Sequence, residues 1–217
     1  MKELASTIRT RYAETFSERY HRYTTAFAGV FFALSIVITV MVSNYAARVA
    51  SNPVTDIILS NTRVYDVDGI VVYGAFALIA VITLLVLTHP KRAPFILYSL
   101  GLLFLIRAFF IPLTHLGLYP VHTAINFESR IALVMFGGGD DFFSGHVGGP
   151  FLMALLFWED RPLRWLFLIV SVFFALVVLL GHMHYTIDVA AAFFITYAIY
   201  HLAQKLFSRE YALFRRN

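Results

Sequence analysis

The chain has 217 residues, 59% of them apolar and only 14% charged, with a net charge of +4 and a mean hydropathy of +0.74. A soluble domain carries about 25% charged residues, and one of this size has too little interior to hide so much apolar surface, so a soluble globule is excluded and a bilayer is the natural solvent for the excess. The basic residues fall in clusters between apolar runs, which reads as a membrane-topology signal and not as a nucleic-acid footprint, and the absence of cysteine excludes disulfide and thiolate chemistry.

The first 22 residues are too charged for a cleaved signal peptide. Leu4, Ile8, Tyr12, Phe16 and Tyr20 recur every four residues, with Arg9, Arg11, Glu14, Glu18 and Arg19 between them. That spacing predicts an amphipathic helix lying on the membrane surface over residues 1–23. A crossing helix needs about 20 apolar residues, and six runs qualify: 24–46, 68–88, 94–118, 143–158, 164–182 and 184–207. The fourth is short and holds Gly148, Gly149 and Pro150, which predicts a kinked or partly broken helix shielded by protein neighbours. The fold expected is all-α: a polytopic bundle of six transmembrane helices forming one catalytic domain over 24–217, preceded by the interfacial helix.

Thirteen of the 17 Lys and Arg lie in the N-terminal segment, the 91–92 loop, the 161–164 turn and the C-terminal tail. Only Arg48, Arg63 and Arg130 lie in the opposite loops, and Arg107 falls inside a span. The positive-inside bias predicts cytoplasmic termini. The loops 47–67 and 119–142 and the 180–185 turn then face the periplasmic, exoplasmic or lumenal side.

Three features meet on that side. One is Asp140-Asp141-Phe142-Phe143-Ser144-Gly145-His146, a second is His184-Tyr185-Thr186-Ile187-Asp188, and the third is Arg107. His184 and Asp188 are four apart, so on a helix they share a face and can hydrogen-bond. The carboxylate then orients an imidazole that attacks as nucleophile. His146 on the same side can act as general acid. Arg107, about 20 Å into its span at 1.5 Å per residue, is expensive to bury there, and its fork suits a phosphate. Other readings stand beside these. Ser144 could serve only as a helix N-cap, Arg107 could pair with a carboxylate, and His146, His182 and His184 could together hold zinc.

Phe143-Ser144-Gly145-His146 followed by His184-Tyr185-Thr186-Ile187-Asp188-Val189 resembles the two signature motifs of the sphingomyelin synthase family, a branch of the type 2 phosphatidic acid phosphatase superfamily. Asp140 matches an acidic position of the first motif, and the stretch from Arg107 to Thr114 is similar to the third helix of that family. The resemblance covers roughly residues 94–207. It implies a six-helix membrane enzyme in which His184, assisted by Asp188, attacks phosphorus and forms a phosphohistidine. His146 protonates the departing diacylglycerol oxygen and later deprotonates the acceptor. Arg107, Asp140, Ser144 and Gly145 make up the substrate-binding set. The implied partners are a phospholipid donor and a lipid acceptor such as ceramide or a diacylglycerol-like alcohol, with no metal and no cofactor. Phe143 stands where the phosphatases of the superfamily have proline in a P-S-G-H box, and no arginine matches the one in their last motif. Both departures lean toward the transferase branch.

Two other functions are open to the same residues. A lipid phosphate phosphatase or phospholipase C would use water as acceptor. A transporter or lipid-binding scaffold would also gather Arg, Asp and His inside the membrane. The head-group pocket is expected in the 119–142 loop and its aromatic residues, with Tyr119, Phe127 and Tyr185 as candidates for a cage around a quaternary ammonium.

Overall fold

The structure, a computed structural model, describes residues 10, 12–13, 15–123 and 142–215. Among these residues the chain is helical and has no strand. The helices are α1 (Arg19–Val49), α2 (Asp68–Thr88), α3 (Ala93–Phe110), α4 (Gly145–Leu156), α5 (Arg161–Leu180), α6 (Thr186–Leu206) and α7 (Ser208–Arg215). Five of them are long and apolar enough to cross a membrane: α1, α2, α3 with its 3-10 continuation to Leu113, α5 and α6. This is the expected polytopic helical bundle. The fourth expected span is the exception in length, since α4 has only 12 residues.

Sequence marks where α3 and α5 begin. Pro94 and Pro162 occupy the first turns of α3 and α5, where a missing N–H costs nothing. Asp160 caps α5 by accepting from the Leu163 N–H at 3.2 Å. Inside α4, Pro150 cannot donate to the helix ladder. The Ser171 hydroxyl of α5 donates to the Val147 carbonyl at 2.9 Å and so ties α5 to the first turn of α4.

α4 is the centre of the bundle. It packs chiefly against α5, then against α6 and α3, and most of its residues are buried, including Val147, Leu152, Met153 and Ala154. Helix α1 packs chiefly along α3. Its inward stripe is small and hydroxylated, with Thr24, Ala28, Ser35, Thr39, Ser43 and Ala46 buried. The Thr39 hydroxyl lies 3.1 Å from the Phe104 carbonyl across the interface. Phe27, Leu34 and Met41 point outward, as helices in lipid permit. The chain bends at Glu18, so α1 begins within the segment expected to lie on the surface. Residues 1–9, 11 and 14 of that segment lie outside the described residues.

The two ends of the bundle differ. At one end, α7 folds back so that Phe214 and Tyr211 pack on Phe95. There the Arg92 guanidinium lies over the rings of Phe157 and Phe214, and Arg215 pairs with Glu159 at 3.2 Å. In sequence, α7 belongs to a basic tail with no sign of this packing. At the other end, three connections interlock. The Ser51 N–H donates to the His115 carbonyl, Tyr65 N–H to the Leu180 carbonyl, and Thr123 N–H to the Gly181 carbonyl. Residues 50–67, 114–123 and 181–185 thereby form one layer over the helix ends.

Candidate active site

The interlocked end holds the residues singled out from sequence. Helix direction explains the gathering, because α3 ends there while α4 and α6 begin there. Arg107 lies in the last turn of α3, and Ser144 and Tyr185 are the N-cap positions of α4 and α6. The two motifs touch directly, since the Ser144 N–H donates to the Asp188 carbonyl at 3.3 Å. One turn deeper, a Cβ on Gly148 would come within 2.8 Å of the Thr196 hydroxyl, so the lack of a side chain there lets α4 and α6 approach.

Arg107 is 6% exposed, and its Nε donates to the Phe143 carbonyl at 3.0 Å. The guanidinium runs beside Gly145, whose Cβ position would lie 3.7 Å from its Cζ. A fixed cation is thereby held against the N-terminus of α4, where the helix dipole adds partial positive charge. Ser144 sits at the N-cap without capping. Its hydroxyl is buried with no hydrogen-bond partner among the described residues, which departs from the N-cap reading. His146, in the first turn of α4, packs its ring at a tilt against that of Phe174, with 5.7 Å between centroids. The far side of Phe174 presses on Gly74 of α2.

His184 is 7% exposed and Asp188 is 2% exposed. Nδ1 of His184 lies 3.9 Å from Asp188 Oδ2, close enough for charge interaction but too long for the hydrogen bond expected from an i, i+4 helical pair. The reason is local. His184 stands two residues before the first residue of α6, and Asp188 Oδ2 instead accepts the Tyr185 N–H at 2.9 Å, half of a capping box. Burial holds the His184 imidazole well below its ordinary 6.5, and the charges of Arg107 and His146 push it further down. The position of Arg107 beside Gly145 and the Ser144–Asp188 bond bring Arg107, His146 and His184 into one neighbourhood. His184 is therefore neutral at physiological pH, the form in which an imidazole nitrogen is a nucleophile.

The remaining candidate residues divide. Asp140 lies outside the described residues, as does Phe127. Tyr185 is buried and fully engaged, its hydroxyl donating to the Gly117 carbonyl at 2.8 Å and lying 3.3 Å from the Val54 N–H. Tyr119 meets it edge to face at 6.1 Å. His182 has both ring nitrogens occupied, one 3.0 Å from the Val121 carbonyl and the other 3.1 Å from the Thr62 hydroxyl. With these bonds it ties the outer layer together instead of turning toward His146. No cluster of three or more metal-ligating side chains occurs among the described residues.

Sequence reading passed over Asp56. Its carboxylate accepts the Ile58 and Leu59 N–H groups at 2.9 and 3.0 Å. It also takes the Thr186 N–H and hydroxyl at 2.7 and 2.6 Å. An Asp just before a short 3-10 turn is a local capping signal. Its bond to a residue 130 positions away leaves no mark in the sequence.

In a comparison with curated proteins, the chain matches none. Residues 137–205, which contain both histidine motifs, match the family model described as PAP2 superfamily C-terminal. That match supports the PAP2 superfamily, and with it a phosphatase or phosphotransferase type of activity, without singling out the sphingomyelin synthase branch.

Proposed function

We propose that the protein is a membrane lipid phosphotransferase that moves a phospho-head group from a glycerophospholipid to a lipid hydroxyl. The observation that carries this reading is the joint between Ser144 and Asp188, which brings His146, His184 and the Arg107 guanidinium to one place.

Nδ1 of His184 faces Asp188, which leaves Nε2 for phosphorus. In the first half-reaction the Nε2–P bond forms and the P–O bond to diacylglycerol breaks, while protonated His146 gives its proton to the departing oxygen. Asp188 balances the positive phosphoimidazole, and Arg107 with the α4 N-terminus takes up the charge on the phosphoryl oxygens. In the second, neutral His146 removes the acceptor's proton. The acceptor oxygen then bonds to phosphorus and the N–P bond breaks, restoring both histidines. In this scheme the Ser144 and Gly145 segment completes the phosphate cradle, and Asp140 positions or polarises His146. The domain that does this work spans 24–217, with residues 1–23 on the membrane surface.

Burial of His184 and Asp188 favours a lipid alcohol, such as ceramide or diacylglycerol, over water, because closed sites suppress hydrolysis of a reactive intermediate. The site lies at the end opposite Arg92, Arg164 and Arg215, which supports a non-cytoplasmic active site and cytoplasmic termini. The test is to incubate purified protein in micelles with labelled phospholipids, with and without ceramide or diacylglycerol. A transferase makes a new phospholipid only when acceptor is present, whereas a phosphatase or phospholipase C turns over without it. His184→Ala abolishes both. Full activity in that variant would sink the phosphohistidine scheme.

A further inference from the structure

His184 lies on a five-residue turn between α5 and α6, so its direction depends on how that turn is anchored. On one side the Met183 N–H is fixed to the Val178 carbonyl at 2.9 Å. On the other, the Tyr185 N–H goes to Asp188, and Thr186 goes to Asp56 through both its N–H and its hydroxyl. Among the anchors supplied from elsewhere in the chain, Asp56 is the one that takes hold of Thr186, the first residue of α6. Its two oxygens take four hydrogen bonds, two from the α6 start and two from the Ile58 and Leu59 amides of its own loop.

We propose that Asp56 is a positioning residue for the reaction, clamping the first turn of α6 so that the His184 imidazole is held toward phosphorus. This rests on His184 being the nucleophile. Two further observations support it. The Tyr185 hydroxyl lies 3.3 Å from the Val54 N–H, so the Asp56 loop holds two successive residues, Tyr185 and Thr186. Although burial works to raise the Asp56 carboxyl, hydrogen bonds from the Thr186 hydroxyl, the Leu59 and Thr186 amides and the Ile58 amide outweigh it and hold it below its ordinary value. The anion persists at neutral pH and complements the positive end of the α6 dipole.

The test uses the full chain in detergent micelles with ceramide and three NBD-labelled probes: phosphatidylcholine, phosphatidylethanolamine and phosphatidic acid. On whichever probe turns over, Asp56→Ala lowers kcat roughly 10- to 100-fold, the scale of an ångström-sized misplacement, and leaves KM within about 2-fold. Asp56→Asn, which keeps an acceptor oxygen, recovers much of the loss. If Asp56→Ala does not fold, Thr186→Val decides, since it removes one bond and spares the Ile58–Leu59 turn. It lowers kcat several-fold at constant KM. Unchanged kcat in the folded variants, or a change confined to KM, overturns the proposal. An active His184→Ala would instead remove its foundation. An inactive His184→Ala beside fully active Asp56 variants would refute the positioning role alone.

Discussion

The Ser144 backbone N–H donates to the Asp188 carbonyl, so the residue that opens α4 is bonded to the third residue of α6. Sliding α4 along α6 breaks that bond and drives Gly148 against the Thr196 hydroxyl. The two histidines are therefore held in register by backbone bonding and close packing. This arrangement places the chemical demands on the imidazoles themselves, and those demands can be separated experimentally.

If His146 is the proton donor to the leaving oxygen, its removal matters in proportion to how badly that oxygen needs a proton. His146→Ala should slow turnover of a natural diacylglycerol-leaving lipid by roughly 10²- to 10⁴-fold. A nitrophenyl phosphodiester, whose leaving group departs as the anion, should be much less affected in its first step. Burst kinetics of nitrophenol release measure this. Equal losses on both substrates would assign His146 a binding role.

The acid limb of kcat/KM should lie below pH 6.5. Nucleophilic attack needs neutral His184, and its affinity for a proton is reduced by burial, by Arg107 and by His146. Activity therefore stays high as pH falls through 6.5 and drops only at the lowered value. Arg107→Gln removes one of the cations responsible, so the limb moves up toward 6.5 while the rate falls. Arg107→Lys keeps the charge and should leave the limb in place, with a lower rate from loss of the planar fork. A pH–rate profile of the three proteins checks the sign.

Glycine substitutions should separate the outer layer from the bundle. A Cβ at Gly117 would run into the Ser51 carbonyl oxygen, with Asn52 and Pro53 backbone close behind, whereas Gly149 has open space. Backbone cannot yield as a side-chain tip can. Gly117→Ala should lower thermal stability by about 1–3 kcal/mol and loosen Tyr185, whose hydroxyl bonds to the Gly117 carbonyl. Gly149→Ala should be near neutral or slightly stabilising within its helix. Thermal unfolding in detergent distinguishes the two.

His182 adopts φ 52°, a left-handed conformation that a non-glycine residue holds only when its surroundings compensate. The compensation comes from Thr62 and Val121. His182→Ala should cost about 1–3 kcal/mol of stability yet leave kcat of the folded fraction nearly unchanged. Because both nitrogens are taken, incubation with a chelator should leave activity intact. Loss of activity on chelation, restored by zinc, would revive the metal reading.

The helices were readable because lipid imposes a length and an apolar requirement that few other structures satisfy, and α2, α5 and α6 fall close to their expected bounds. The gathering of Arg107, Ser144, His146, His184 and Asp188 at one end followed from alternating helix direction, which basic-residue counting already encoded. What sequence hid was relational. The spacing of His184 and Asp188 fits a helical pair, but the helix begins two residues later and the carboxylate caps it. Asp56, Gly117 and His182 act through partners 60 or more residues away, and hydrophobic periodicity carries no information about such contacts.

The shortness of α4 has a consequence for substrate. Twelve residues reach about 18 Å, against a hydrocarbon layer about 30 Å deep. A helix of that length with its far end level with one face would open well beneath the other, like the floor of a well. Under the proposed reaction, a phosphate brought to that floor drags its polar substituent down too. The ease with which a head group sheds water then becomes a selection step, imposed by helix length before any side chain reads its shape.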